Sequence, residues 1–356
     1  MEASSEASRL PVRSNTGDRI RKYLSEYGLI ALLLVMPVVY GIQDLSDDGN
    51  LSRLGNNIVD GLSNGAIWAL IAMGYTLVYG IIELINFAHG EVFMIGSLVT
   101  AAWFWGVIGL TEQTAILGLV LGLLASLIVA MVVSGSLNVM IERVAYRPLR
   151  TAPKLAPLIT AVGMSFILQN VGILWIGGSQ EGVPELVDPQ KNLFTIGGVE
   201  VSQGDVLSVA TTIPLVLLLT TFISQSRMGR AMRATAQDPE AARLMGINVD
   251  TTISLTFLLG GLMAGAAGLI YALYQTTIWY FQGFQAGLIA FTAAVMGGIG
   301  NLQGAVLGGF IIGIIQQISD NRIGGEWTPA IVFAYLVLIM VFRPQGLLGE
   351  ETREAG

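Results

Sequence analysis

A bundle of α-helices crossing a membrane many times is the fold class this sequence predicts, and three observations predict it. Of the 356 residues, 53% are hydrophobic and only 12% are charged, against roughly 25% charged in soluble domains. Apolar runs of about 20 residues, the length a helix needs to cross some 30 Å of hydrocarbon, follow one another along the chain. The 44 glycines fall inside those runs, as in closely packed membrane helices, rather than in Ser- or Gln-rich linkers.

Measured against that length, ten candidate spans stand out: 27–43, 57–81, 85–109, 114–140, 156–178, 205–224, 251–275, 283–299, 303–319 and 327–342. The shorter ones suit half-helices or re-entrant segments, which would bring the count to eight or nine. The chain thus divides into a polar tail at 1–26, a membrane domain at 27–343 and a short tail at 344–356. A cleaved secretory signal competes for the first run, but no small-residue cleavage site follows Val39-Tyr40-Gly41, so an uncleaved span is expected.

Orientation follows from the excess of Lys and Arg in cytoplasmic loops. With both termini inside, the tail contributes Arg9, Arg13, Arg19, Arg21 and Lys22 to the cytoplasm. The 141–156 loop adds Arg143, Arg147, Arg150 and Lys154, and the 224–250 loop adds Arg227, Arg230, Arg233 and Arg243. Counting Arg343 and Arg353, 15 of the 18 basic residues are inside; Arg53, Lys191 and Arg322 are outside. Trp103, Trp105, Trp175, Trp279 and Trp327 then fall at outer span ends, where indole rings favour the headgroup region. The outer loop at 179–204 carries four acids against Lys191, with paired glycines and two prolines, and reads as a short hairpin on the outer face. Phe87-Ala-His-Gly90 opens the third span and Phe284-Gln-Ala-Gly287 the eighth. Five spans separate them, an odd number that reverses direction, so an inverted repeat of five plus five spans is expected.

Composition removes several chemistries. The chain has no cysteine and one histidine, His89, so thiolate catalysis, iron–sulfur clusters and multi-histidine metal sites are excluded. Neither a cofactor nor a metal is expected. Net charge is −7, with no basic tract for nucleic acid. None of the three lysines, Lys22, Lys154 and Lys191, follows a glycine, so there is no phosphate-cradling G-x-x-x-x-G-K-[ST] loop. If ATP is hydrolysed in this system, another chain does it, and this chain is a transport subunit rather than an enzyme.

Two segments carry candidate function. In the 225–250 loop, Asp238 suits an N-cap, Pro239 the first helical position and Glu240 the positive helix end. Gly246 and Asn248 can end a two-turn helix. A short helix held between spans has the form of a docking element; a solvated loop made basic by the positive-inside rule is the competing reading. Where the second and third spans meet, Glu83, Asn86, His89, Gly90 and Glu91 set polar groups near the hydrocarbon. Such groups are costly there, so they reach water or line a pathway. Asn86, His89, Gly90 and Glu91 are therefore candidates for a polar lining or inner gate for a zwitterion; the alternative is a hairpin tip solvated at the cytoplasmic interface, with Glu83 simply solvated. Glycine pairs four residues apart (61/65, 118/122, 261/265, 304/308 and 309/313) permit close helix approach. Gly298-Ile-Gly300 followed by Gly304 evokes a dinucleotide fingerprint, but without a strand or the right spacing it reads as a tight helix hairpin.

Glu240-Ala241-Ala242, with Gly246 four residues beyond, resembles the E-A-A-x-x-x-G loop of ABC importer permeases. More specific is the run from Asn64 to Gly96, including Tyr79-Gly-Ile-Ile-Glu-Leu-Ile-Asn-Phe-Ala-His-Gly-Glu-Val-Phe-Met-Ile-Gly96, which closely resembles the LivH-type permease of branched-chain amino acid importers. Phe291-Thr-Ala-Ala-Val-Met-Gly-Gly-Ile-Gly300 and Arg343-Pro-Gln-Gly-Leu-Leu348 agree with it. The likeness covers roughly residues 55–348; Leu258-Leu-Gly-Gly261 stands where many importers carry a closing Leu-Pro. It implies an inner-membrane permease for Leu, Ile and Val. Its implied partners are two cytoplasmic ABC ATPases, a second, LivM-like permease subunit or a second copy of itself, and an outer substrate-binding protein. Asp238, Pro239, Glu240, Ala241, Ala242 and Gly246 would then couple to the ATPase. A urea or short-amide importer, whose permeases share the Asn-x-Ala-His-Gly-Glu-type run, is the nearest rival. A secondary transporter lacks mid-membrane coupling residues, and an intramembrane enzyme lacks a facing polar pair outside the His89 cluster.

Overall fold

The computed structural model describes residues 16–47, 49–150, 152–153 and 155–349. Within them, apolar helices run in alternating directions between two ends of a bundle. The first are α1 (Thr16–Asp47), α2 (Ser52–Ile82) and α3 (His89–Leu98), the last continuing through a π-helical turn into α4 (Trp105–Ile108). Then come α5 (Ile116–Ile141), prolonged by a π-turn and a 3-10 turn to Leu149, α6 (Leu155–Ile176) and α7 (Gln203–Gln225). Two short helices, α8 (Arg227–Gln237) and α9 (Pro239–Leu244), precede α10 (Val249–Gln275), α11 (Gln282–Gly297), α12 (Leu302–Arg322) and α13 (Thr328–Phe342).

Among the described residues, eight helical stretches are long and apolar enough to cross a membrane. Of the ten expected spans, those at 283–299 and 327–342 correspond to α11 and α13, of 16 and 15 residues. At 1.5 Å per residue these reach only about 24 Å. The first candidate span, Ile30–Asp47, lies slightly later than the expected 27–43, but its helix α1 starts at Thr16, so the second half of the expected tail continues this helix. Residues 1–15 and 350–356, with Arg9, Arg13 and Arg353, lie outside the described residues, as does Lys154. The start of the C-terminal tail is docked: Leu347 and Leu348 donate backbone hydrogen bonds of 2.8 and 2.9 Å to Met296 and Gly297, and Asn301 Nδ2 donates to the Leu348 carbonyl.

Local chemistry sets the boundaries. Ser202 and Asp205 form a capping box at α7, and Ser226, Asp238, Asn248 and Asn301 cap α8, α9, α10 and α12 through their side chains. The 179–204 loop does contain a hairpin, β2 (Asn192–Ile196) with β3 (Val199–Ser202), turning on Gly197 and Gly198. Both glycines have positive φ, 60° and 84°, as a two-residue type I′ turn requires. This end of the bundle is the hairpin end; α8 and α9 mark the opposite, loop end.

Glycines decide how the helices cross. A Cβ at Gly65 would lie 2.7 Å from Phe310 Cα, and one at Gly309 2.5 Å from Ala69 Cα, so α2 and α12 touch backbone to backbone. Gly261 meets α5 the same way, 2.6 Å from the Ser134 carbonyl, and Gly265 packs on Ala130. Gly304 and Gly308 press onto α11, whereas Gly118 and Gly122 meet only Thr114 and Leu110 side chains and join no two helices. Gly298 and Gly300 adopt positive φ in the α11–α12 turn, a hairpin and not a nucleotide loop. Exchanging α2 with α10, α3 with α11, α5 with α12 and α6 with α13 turns the α2–α12 pair into α10–α5. It likewise turns α3–α10 into α11–α2 and α3–α6 into α11–α13, all of which are packed pairs here. That is the exchange an inverted repeat requires.

The outer helices, α1, α5, α6, α7 and α13, leave Leu, Ile and Val exposed along most of their length, as a lipid-facing surface does. Trp103, Trp175 and Trp327 are exposed, but Trp105 is buried and donates through Nε1 to Ser126 Oγ at 3.1 Å. It is a core residue, not an interface anchor. Replacing Gly309 with leucine forces α12 off α2; the overpacking cost is about 1–3 kcal/mol or more, read as a lowered melting temperature of the purified protein. An unchanged melting temperature contradicts the direct backbone contact.

Candidate functional site

At the loop end, α9 is built as its residue types dictate. Asp238 accepts from the backbone N–H of Glu240 and Ala241 at 2.9 and 3.0 Å, and Pro239 occupies the first helical position. Gly246, at φ +82°, ends the helix; its N–H reaches the Arg243 carbonyl while Ile247 N–H reaches that of Ala242, the paired closure of a Schellman motif. Ala242 is buried, seating α9 on its neighbours, whereas Leu244 and Met245 are 89% and 82% exposed. Two large apolar side chains held out on a capped, rigid turn make a contact surface.

The 225–250 loop holds a second helix that sequence reading took only for basic flanks. α8 buries Gly229, Met232 and Thr235, and Arg230 and Arg233 turn back to donate to the last carbonyls of α7. Cationic side chains at a helix C-terminus satisfy its orphan carbonyls and its dipole. These arginines therefore brace α8 against α7.

The α2–α3 junction is buried, not a solvated tip: Asn86, His89 and Glu91 are 1%, 0% and 0% exposed. Only Glu83 matches that reading, lying exposed at φ +52° and closing α2 with a bond to the Tyr79 carbonyl. Asn86 Nδ2 donates to Asn138 Oδ1 at 3.2 Å, Asn138 Nδ2 donates to the Phe257 carbonyl, and Tyr146 OH donates to Asn86 Oδ1. The junction is thereby tied to α5 and α10. His89 packs edge-on to Tyr75, ring centroids 4.8 Å apart, in the space that Gly74 and Gly260 leave open where α2 crosses α10. Gly90 touches α11: a Cβ there would lie 2.8 Å from Gly287 Cα.

Glu91 differs from its neighbours. Its Oε1 accepts from Ser165 Oγ at 3.0 Å and Gln169 Nε2 at 2.9 Å, both on α6, while Oε2 has no partner. Ser165 also lines a narrow cleft of about 50 Å³ between α6 and α11, walled by Phe166, Phe284 and Phe291. Sequence reading missed Ser165 and Gln169, although two polar residues four apart in an apolar span were the available signal. A larger polar cup, about 470 Å³, opens at the hairpin end among Asp60, Asn64, Asp205, Gln316 and Asp320.

A family model described as "Branched-chain amino acid transport system / permease component" matches residues 57–341. The chain belongs to this permease family. It is 41% identical over 295 residues to the high-affinity branched-chain amino acid transport system permease protein BraD of Pseudomonas aeruginosa, covering 82% of this chain and 94% of that one. LivH of Escherichia coli K12, of the same description, matches with the same identity and coverage. The autoinducer 2 import system permease LsrC of Escherichia coli O9:H4 is 25% identical over 334 residues, covering 90% and 88%. With its eight candidate spans, the permease is a multi-pass inner-membrane protein.

Beside the 225–250 loop, Arg150 bridges the buried Glu142 and Asp250, the latter at 2.5 Å, and Ser254 Oγ donates to Glu142 Oε2 at 2.6 Å. This permease thus locks the loop-end extension of α5 to the start of α10. Arg150→Ala leaves the Glu142 carboxylate buried and unpaired, costing about 3–5 kcal/mol. The double variant Arg150→Ala/Glu142→Ala should recover part of the lost melting temperature. A double variant as unstable as the sum of the singles contradicts the coupling.

Proposed function

We propose that this chain is the membrane subunit of an ATP-binding-cassette importer that carries branched-chain amino acids into the cytoplasm, driven by separate ATPase subunits. The observation that carries the reading is α9: a capped two-turn helix at the loop end, its exposed Leu244 and Met245 outward and its base braced through α8 onto α7. A transporter without a nucleotide site needs such an element, because force from a soluble motor has to enter through a rigid protrusion. The basic residues of the 141–156 and 224–250 loops share this end and support its cytoplasmic placement. Asp238 and Pro239 set where the helix starts, Glu240, Ala241 and Ala242 form its body, and Gly246 turns the chain back into α10.

Leu, Ile and Val as cargo follow from the likeness to BraD and LivH, branched-chain amino acid permeases matched over 94% of their length. Two ATPases would dock on the loop end, a second permease subunit, LivM-like or a second copy, would cover the exposed α6–α11 face, and a binding protein would deliver cargo at the hairpin end. In the gate, Asn86, His89 and Gly90 hold the α2–α3 junction against α5, α10 and α11, and Glu91 faces the pathway. ATP binding would shift the bundle between outward- and inward-open states through differential contacts with α9.

The test is uptake of radiolabelled leucine by proteoliposomes holding the complete complex, with binding protein outside and ATP inside. Glu240→Lys and Gly246→Trp should each abolish ATP-dependent uptake and loosen ATPase co-purification. Transport that persists with both, or that needs no ATP, defeats the reading.

A further inference from the structure

A buried carboxylate at membrane depth with one oxygen unsatisfied is costly. Glu91 is 0% exposed, and α6 satisfies Oε1 alone, through Ser165 and Gln169. Oε2 rests against the backbone of Gly283 on α11, with no donor in reach. Leaving a buried charge half-paired costs several kcal/mol, and ionisable groups within spans mark pathways for polar cargo.

The surroundings state what the missing partner is like. Ser165 is shared between Glu91 and the α6–α11 cleft. The cleft walls are almost wholly apolar, with Phe166 57% and Phe284 39% exposed. The cleft's free volume is about 50 Å³, below the ~300–1,000 Å³ of occupied small-molecule sites, so it admits cargo only as α6 and α11 part; like such sites it pairs apolar walls with a few fixed polar groups. On the same face of α6, one turn beyond Phe166, the exposed Asn170 donates through Nδ2 to the Phe166 carbonyl at 2.8 Å, and nothing lies within 4 Å of a Cβ at Gly163. Gly283, which covers Oε2, has no side chain, so a small slide of α11 uncovers the carboxylate.

We propose that Glu91 and the phenylalanine cleft form a transient intramembrane subsite for an aliphatic amino acid. The Glu91 carboxylate takes the substrate's ammonium group through Oε2, and Phe166, Phe284 and Phe291 take its hydrocarbon side chain. Ser165 and Gln169 hold Oε1 and so aim the free oxygen. The aromatic faces add attraction for a cation entering the cleft. The subsite rests on the importer reading above and adds to it a recognition step inside the membrane, after release from any binding protein.

Glu91→Gln keeps the size of the side chain and an acceptor oxygen for Ser165 and Gln169, and replaces the free carboxylate oxygen with an uncharged amide. In proteoliposomes of the complete complex at saturating binding protein, it should lower leucine uptake about tenfold or more, the loss expected for one charge-assisted bond. Glu91→Asp should restore a substantial part, and the melting temperature of each complex should match the wild type. Uptake by Glu91→Gln within twofold of wild type overturns the subsite and leaves the importer reading standing. A fall in uptake that tracks a fall in melting temperature, with no recovery in Glu91→Asp, makes Glu91 structural and also overturns it. Absence of leucine uptake by the wild-type complex brings down both.

Discussion

Backbone touching backbone is the contact on which the rest of this protein depends. Inside a bilayer, helices gain nothing by hiding apolar surface from water, so association rests on packing, interhelical hydrogen bonds and lipid entropy. Here Gly61, Gly65 and Ala69 of α2 lie on Gly309 and Gly313 of α12, and Ala130 and Ser134 of α5 lie on Gly261 and Gly265 of α10. With α2 and α10 also crossing at Gly74 and Gly260, four long helices form a core with little room to deform. Close-packed cores of this kind switch between discrete arrangements rather than bending continuously.

Polar groups are distributed so as to use that rigidity. At the hairpin end, Asn57–Asn321, Asn64–Gln317 and Trp68–Gln316 pair α2 with α12 beside the glycine contact. At the loop end, Glu142, Arg150 and Asp250 fasten α5 to α10. Between them, the Asn86–Asn138–Tyr146 group fixes the start of α3. Glu91 is the acid among the described residues whose buried oxygen lacks a partner, and it lies next to α11, which is short and packed between α2, α3 and α12. A rigid frame, the braced pair α8–α9 and this acid are the parts the proposed importer would use.

Much of this was legible in the sequence, for identifiable reasons. Hydrophobic length and Lys/Arg asymmetry are one-dimensional signals, and they locate the helices and their alternation. Asp238, Pro239 and Gly246 act on their own immediate backbone, so the start and end of α9 follow from residue type alone. The helical extension before the first span was missed because Thr16–Tyr27 is polar, yet α1 carries through it. Trp105 looked like an interface residue because its distance from the span end says nothing about which face it takes. The partnership of Glu91 with Ser165 and Gln169 spans more than 70 residues of chain and needs the fold to bring α3 to α6. The junction at Asn86 and His89 looked solvated for the same reason, since Asn138 and Gly260 that enclose it are distant in sequence.

The central claim, that force enters through α9, is open to direct test because the chain contains no cysteine. Met245→Cys is then a unique thiol, to be paired in inside-out vesicles with single cysteines placed around the cleft of the ATPase subunit. The account predicts a disulfide crosslink to the ATPase whose yield changes when ATP is added, and labelling of the thiol only from the cytoplasmic side. Labelling from the outer side, or a thiol that crosslinks to no ATPase position in either nucleotide state, contradicts it.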